Sequence, residues 1–313
     1  MTKRHLFLVA DVGGTNTRVG LADENGLIDG STTRYKNAEV ASFEAAIAAF
    51  LDEAKPGDLA GACVGAAGLV VDGVARMTNL DWQIDRSGFA QVTGAPKVDV
   101  INDLQAQGFA LNALPEQSLK PLCGPSKARD GMRLVIGLGT GFNIVPVHQD
   151  RERLIVPSCE AGHMTAPYRP DLADLYAKVG EICGSVRVEW LLAGQGLQNI
   201  YQAHTGARPA AGDIMDQVAA GDATASAVMR DYVSVLATVT KDLAIAHVPY
   251  GGIYFTGGVS RAVTPYLGAY DFHAQMTDLD GFEDLLKGFP VTLIEDDFAA
   301  LKGCARYLRQ LSA

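Results

Sequence analysis

Along this chain, apolar residues first come in short runs broken by glycine-rich turns and later at helical spacing. Residues 5–10 predict a buried strand, 17–23 its partner and 27–35 a third, with Glu24-Asn25-Gly26 turning between the last two. Residues 41–54 predict an alanine-rich helix with Phe43, Ile47, Phe50 and Leu51 on one face, ended by Pro56-Gly57. Short strands near 60–66 and 74–77 follow, with Asp72-Gly73 between them. KVDVIND (97–103) reads as a strand leading into a helix near 104–113.

A loop rich in Pro, Gly and Ser (115–131) opens the second half. RLVIGLG (133–139) and FNIVPV (142–147) predict strands around a Gly-Thr-Gly turn, and helices dominate from about residue 170. The longest, 222–247, carries Val228, Tyr232, Val235, Val239, Leu243 and Ala246 on one stripe. A strand (252–256), the pair Gly257-Gly258, a strand (291–295) and a final helix (298–311) complete the chain. Two passages share one grammar, LVADVGGTNTRVGLAD (8–23) and VIGLGTGFNIVPV (135–147). Each is an apolar strand, a turn with Gly and Thr, and a second apolar strand, and one lies in each half.

Composition narrows the classes. The 313 residues are 48% hydrophobic and 20% charged, the balance of a soluble globular enzyme. A net charge of -10 disfavours nucleic acid or an anionic membrane as the main partner, because both need a basic face. No apolar run approaches the roughly 18 residues of a membrane span. The start, MTKRHLFLVA, has two basic residues, but its short apolar stretch reads as a first strand rather than a signal peptide. Five scattered cysteines without a C-x-x-C argue for free thiols in a reducing cytoplasm.

The glycine turns carry the candidate chemistry. Gly13-Gly14 lets backbone amides point into one concavity that attracts anions, and Thr15 and Thr17 add hydroxyl donors. Asp11 is the odd member, since a carboxylate repels phosphate unless a cation lies between them. Magnesium held through water reconciles the two. Gly139-Thr140-Gly141 is the matching donor set, and together the turns suggest a two-sided clamp on a nucleotide's phosphates. The alternative is a pair of plain hairpin turns, which the same residues favour. There is no Gly-Lys dipeptide, which excludes a Walker A loop, and no G-x-G-x-x-G follows the first strand. Asp103 ends an apolar strand, where α/β folds place ligands, but Asn102 or Asp103 can equally cap the next helix. Glu160 and His163 are three apart, too few for a metal site. Glu189 reads as an ordinary helix glutamate on a solvated face, and Gly257-Gly258 equally as a helix start or as a place where a nucleotide approaches the backbone closely.

DVGGTNTR (11–18), IND (101–103), GLGTG (137–141), EAGH (160–163), GQGLQNIY (194–201) and GGIYFTGG (251–258) stand in the order found in bacterial glucokinases. The chain resembles that family, within the actin-like sugar kinase and heat-shock ATPase superfamily. The resemblance implies an α/β, two-domain actin-like ATPase (ribonuclease H-like) fold with sugar and ATP in the interdomain cleft. It implies a small domain of residues 1–112 plus 298–313, a large one of 113–297, and a last helix that packs on the first domain.

By the same resemblance, the activity is ATP-dependent phosphorylation of glucose at its 6-hydroxyl, with Asp103 as general base. Asn102, Asp103, Glu160, His163 and Glu189 would bind the sugar. Asp11, Val12, Gly13, Gly14, Thr15, Asn16, Gly139, Thr140, Gly141, Gly257 and Gly258 would bind ATP, with magnesium at Asp11. A cytoplasmic homodimer is implied. The chain departs from the family at Cys159 and Ala161 beside the sugar contacts, at Asn143 where glycine is common, and at Gln195 where proline is frequent.

A kinase for another hexose or an amino sugar is the near alternative. The zinc-containing repressor/ORF/kinase branch is disfavoured, because no cysteine cluster follows His163. A transcriptional sugar sensor needs a DNA-binding module, for which the first strand and the acidic charge leave no place. An actin-like assembly ATPase would not need Glu160, His163 and Glu189.

Overall fold

The computed structural model describes residues 5–77 and 80–312. Residues 1–4, which hold the two basic residues of the opening, lie outside the described residues. The chain forms two compact units. One takes the chain up to Ser118, the excursion Asp150–Ser158 and the segment from Asp296; the other takes Leu119–Gln149 and Cys159–Glu295. The excursion returns to the first unit through Gln105 Nε2, which donates to Val156 O at 2.8 Å, and Gln310, whose amide pairs with both backbone groups of Leu154.

In the first unit the sheet runs Gly26–Leu27, Asn16–Asp23, Phe7–Val12, Gly61–Ala66, Val98–Asn102, with Thr33–Lys36 also paired to Asn16–Asp23. Phe7–Val12 is antiparallel to Asn16–Asp23 and parallel to Gly61–Ala66, which is parallel to Val98–Asn102. Helix Phe43–Ala54 starts where the Ser42 hydroxyl accepts from Ala45 N, and it buries Phe43, Ala46, Ile47 and Phe50. A cap of this kind is worth about 1 kcal/mol. Phe43 meets Phe89 of helix Arg86–Thr93 edge-on, with ring centroids 5.1 Å apart. A small sheet of Gly68–Val71, Val74–Met77 and Gln83–Asp85 lies in the same unit, and Asp72-Gly73 is the turn of its first hairpin. The last helix, Ala299–Ser312, belongs to this unit and packs on helix Asp103–Ala110. Gly303 permits the approach, because a Cβ there would overlap the Ala106 carbonyl.

The second unit repeats the scheme. Arg133–Leu138 is antiparallel to Phe142–Asp150 and parallel to Ile253–Thr256, which is parallel to Val291–Ile294. Both glycine turns therefore join the same two strands of the same substructure. Helix Ala223–His247, capped by Asp222 on Ala225 N at 2.8 Å, is the spine of this core. Its fully buried Tyr232 donates from its hydroxyl to Leu192 O at 2.7 Å. Among the described residues, no helix is long and apolar enough to cross a membrane.

Three expectations need correction. The strand read at 27–35 breaks after Leu27 and resumes at Thr33. Gly30 sits at φ 71° and the Ser31 hydroxyl donates to Ile28 O, which turns the chain between the two pieces. The loop read at 115–131 contains the edge strand Leu119–Cys123, antiparallel to Val291–Ile294. Pro121 signalled a loop, yet a sheet edge tolerates a missing N–H. Ala246 of the long helix is exposed while Ala244 is buried. The helix is buried nearly all round from Tyr232 to Thr240, so a narrow stripe does not describe its end.

Candidate active site

In the first unit, the turn after Phe7–Val12 is held from below by Asn37. Its Nδ2 donates to Gly13 O at 2.8 Å, its backbone N to Thr15 O at 2.9 Å, and its Oδ1 accepts from the buried Thr17 hydroxyl at 2.8 Å. Thr17 thus points into the protein and supports the turn, where an outward donor was expected. Gly13 N–H is spent on Asn16 O at 3.0 Å, so the concavity does not use that amide. The Arg18 guanidinium lies 3.1 Å from Asp11 Oδ2. Burial nevertheless holds the Asp11 carboxyl above its ordinary range, with Arg18 opposing. A buried, incompletely compensated carboxylate is a cation-seeking group.

Across the three parallel strands, Val12, Ala66 and Asn102 share one row. At about 4.8 Å per strand, Asn102 lies about 10 Å from Val12 along the carboxyl edge. The question of which residue caps the helix has a definite answer. Asn102 Oδ1 accepts from Leu104 N at 2.9 Å, and Gln105 Oε1 accepts from Asn102 N at 3.1 Å, completing a capping box. Asn102 Nδ2 also donates to Gly68 O at 3.0 Å. Asp103 is the first helical residue and half-buried, its Oδ1 accepting from Leu104 N at 2.9 Å. Gly65 makes this seat possible: a Cβ there would press to 3.1 Å of the Ala106 Cβ and 3.5 Å of the Asp103 Cα.

In the second unit, the Gly139–Gly141 turn is closed by Gly139 N donating to Gly141 O at 3.0 Å, and Gly194 N donates to Gly139 O at 2.8 Å. Gly257, at φ 100°, ends strand Ile253–Thr256 and precedes helix Gly258–Val263. A Cβ on it would overlap the Leu138 carbonyl, so only glycine fits against the base of the turn. Gly257-Gly258 is therefore a helix start, and it sits beside Gly139.

Glu160, His163 and Glu189 gather near the same turn. A Cβ on Gly141 would lie 3.3 Å from Glu189 Oε2, and one on Gly162 would lie 3.0 Å from the same oxygen. Glu189 is half-buried at the start of the short helix Val188–Leu192 and faces these glycines, which overturns the solvated-face reading. Backbone pairing holds it there, with Ala166 N donating to Val186 O and Val188 N to Met164 O, both at 3.0 Å. Ala161–His163 forms a 3-10 turn directly after Glu160. Although Glu160 as a residue is exposed, partial desolvation of its carboxyl raises it above its ordinary range; Glu189 adds to this and His163 opposes it. Arg187 Nη1 lies 3.4 Å from His163 Nδ1. A guanidinium only donates, so this contact is a hydrogen bond only in the tautomer that leaves Nδ1 as the acceptor.

Several residues of this arrangement escaped the sequence reading. Asn37, through its side-chain amide, and Gly65, through close packing, touch segments far away in sequence and carry no local signal, while Gly194 opens the GQGLQNIY motif without its contact to Gly139 being foreseen. Arg187 was detectable only as a cation two residues before Glu189. Among the described residues, no group of three or more His, Cys, Asp or Glu side chains could hold a metal ion. A lone Asp11 fits a magnesium that keeps most of its waters and takes its remaining ligands from phosphates.

A family model described as Glucokinase matches residues 8–311. The glucokinase of Erwinia tasmaniensis is 31% identical over 97% of this chain and 97% of its own length. That of Mesorhizobium japonicum is 30% identical over 99% and 93%. The solved structure of a glucokinase from an Antarctic psychrotroph superposes with a TM-score of 0.87 at 25% identity, covering 98% of this chain and 99% of that one. A ROK family glucokinase from Streptomyces griseus, solved in complex with glucose and AMPPNP, shares the fold at TM-score 0.66 and 22% identity, covering 98% and 100%.

Proposed function

Because the chain belongs to the glucokinase family, ATP-dependent phosphorylation of glucose is its reaction, and we propose that Asp103 serves in it as the general base. The transfer needs alignment, neutralisation of phosphate charge and an acceptor for the proton of the attacking hydroxyl. Asp103 takes that proton from the 6-hydroxyl, its carboxylate oriented by the Leu104 amide. Asn102, Glu160, His163 and Glu189 bind the remaining hydroxyls. Carboxylates suit this task because each accepts from neighbouring hydroxyls, and the His163 imidazole donates or accepts. The Asp11–Asn16 and Gly139–Gly141 turns bind the phosphates of ATP, and Gly257-Gly258 lets the adenosine approach the backbone. Magnesium, held by Asp11 through water, would neutralise phosphate charge.

One observation carries this reading. A single carboxylate, that of Glu189, stands against both the phosphate-type turn at Gly141 and the Glu160–His163 turn at Gly162. Hydroxyl acceptors and an anion-binding turn side by side are what a sugar kinase requires. The test is ADP release with glucose, mannose, fructose, galactose and N-acetylglucosamine, with the product identified by a dehydrogenase specific for glucose 6-phosphate. Glucose should give the highest kcat/KM. Another sugar preferred by more than about tenfold, or about 1.4 kcal/mol, would replace glucose as the substrate.

A further inference from the structure

We propose that Asn143 is a positioning residue for the sugar, holding the segment on both sides of Glu160 so that its carboxylate is presented in one place. The inference rests on the glucokinase reading above. Asn143 is the second residue of strand Phe142–Asp150, paired with Gly137 just before the phosphate turn. Both polar atoms of its side chain have partners. Oδ1 accepts from Ala161 N at 3.0 Å and from its own neighbour Ile144 N at 2.8 Å, while Nδ2 donates to Cys159 O. The two residues flanking Glu160 are thus tied to one amide that belongs to the sheet.

The tie matters because the turn itself holds only the Glu160 carbonyl, through His163 N at 3.2 Å. Its backbone, at φ -134° and ψ 52°, lies outside helix and strand geometry, and its side chain makes no capping bond to the 3-10 turn it precedes. Glu160 is exposed, with a long side chain whose freedom must be lost on binding a sugar. Anchoring Cys159 O and Ala161 N removes the backbone part of that freedom in advance. Gly162 completes the seat, since a Cβ there would overlap the Phe142 carbonyl and lift the segment away. Only a side-chain amide of this length offers an acceptor and a donor together. Aspartate would keep the bond to Ala161 and set a carboxylate against the Cys159 carbonyl, while glycine would remove both bonds.

The test uses the full-length wild type, Asn143→Gly and Asn143→Asp, each shown to be folded by circular dichroism at the assay temperature. Asn143→Gly should raise the KM for glucose by about tenfold, the scale of one to two lost hydrogen bonds. The KM for ATP should stay within about twofold, a split that general damage to the fold would not produce. Asn143→Asp should not recover the wild-type glucose KM. Amide exchange of a peptide spanning 159–164, measured without substrate, should speed up in both variants. An unchanged glucose KM in Asn143→Gly, a parallel rise for ATP, or unchanged exchange overturns the inference. An Asn143→Asp protein equal to wild type overturns the two-sided tie. These outcomes leave the kinase reading standing, whereas a wild type that phosphorylates no hexose overturns both.

Discussion

Replacing Asp103 by asparagine separates chemistry from capping, because the two tasks fall on adjacent residues. The capping box is built by Asn102 and Gln105 and survives the change. Asparagine can still accept from Leu104 N as Asp103 Oδ1 does. What stability is lost is the favourable placement of a negative charge in the first helical turn, about 0.3–1 kcal/mol. For a chain of this size that moves Tm by no more than about 3 °C. The loss of a general base should lower kcat by at least ~100-fold, which is about 2.7 kcal/mol on the barrier. The matching control is Asn102→Ala. It removes the cap and the bond to Gly68 O, costs about 1–2 kcal/mol, and should lower Tm and raise the glucose KM, Asn102 being a proposed sugar contact, while leaving the Asp103 carboxylate and most of kcat in place. Turnover would be followed by ADP release at saturating glucose, and sugar affinity by fluorescence of Trp190, next to Glu189. Asp103→Asn should bind glucose with nearly wild-type affinity. A variant that keeps more than about a tenth of wild-type kcat, or that loses activity only in proportion to its Tm, would refute the assignment.

Other consequences can be checked with the same protein. Burial raises the Asp11 carboxyl despite Arg18, so the folded state keeps a proton that the unfolded chain has released. Stability should therefore fall as pH rises from the ordinary aspartate range through the raised value, and level off above it. Ligand-free Asp11→Asn should then melt no lower than wild type at pH 7.5, with the advantage fading in acid, and it should be inactive; a clearly lower Tm at pH 7.5 contradicts the sign. Gly257→Ala forces a side chain into φ 100° and onto the Leu138 carbonyl, and should cost about 3 kcal/mol or more, read by urea unfolding together with a raised KM for ATP. Unchanged unfolding would mean that the strand end can yield. Gly303→Ala pushes the last helix off Ala106 and should cost about 1–3 kcal/mol in the same experiment. The kcat of that variant should also fall, because Ala106 belongs to the helix that begins at Asp103; intact stability would show the helices have slack.

Much of the fold was legible because it is written in near neighbours. The strand–turn–strand passages at 8–23 and 135–147, the helix read at 41–54 and the period of 222–247 are settled by residues within about four positions of each other. The same reading failed where a local signal had two meanings. Pro121 suits a loop and a sheet edge alike, and 27–35 looked continuous because the bend at Ser31 is made by a hydroxyl bonded to Leu21 O and Ile28 O.

The site divides along a similar line. Residue types and their order placed Asp11, Asp103, Glu160, His163 and Glu189 as candidates. Packing of the whole chain decided which of them meet. Glu189 reaches Gly141 and Gly162, Asn143 ties down Cys159 and Ala161, and Gly257 nests on Leu138. These contacts join segments up to more than a hundred residues apart. Local preference selects conformations for a few residues at a time. The register between distant strands, and the glycines that allow two backbones to touch, are set only when the competing ways of burying both cores have been resolved.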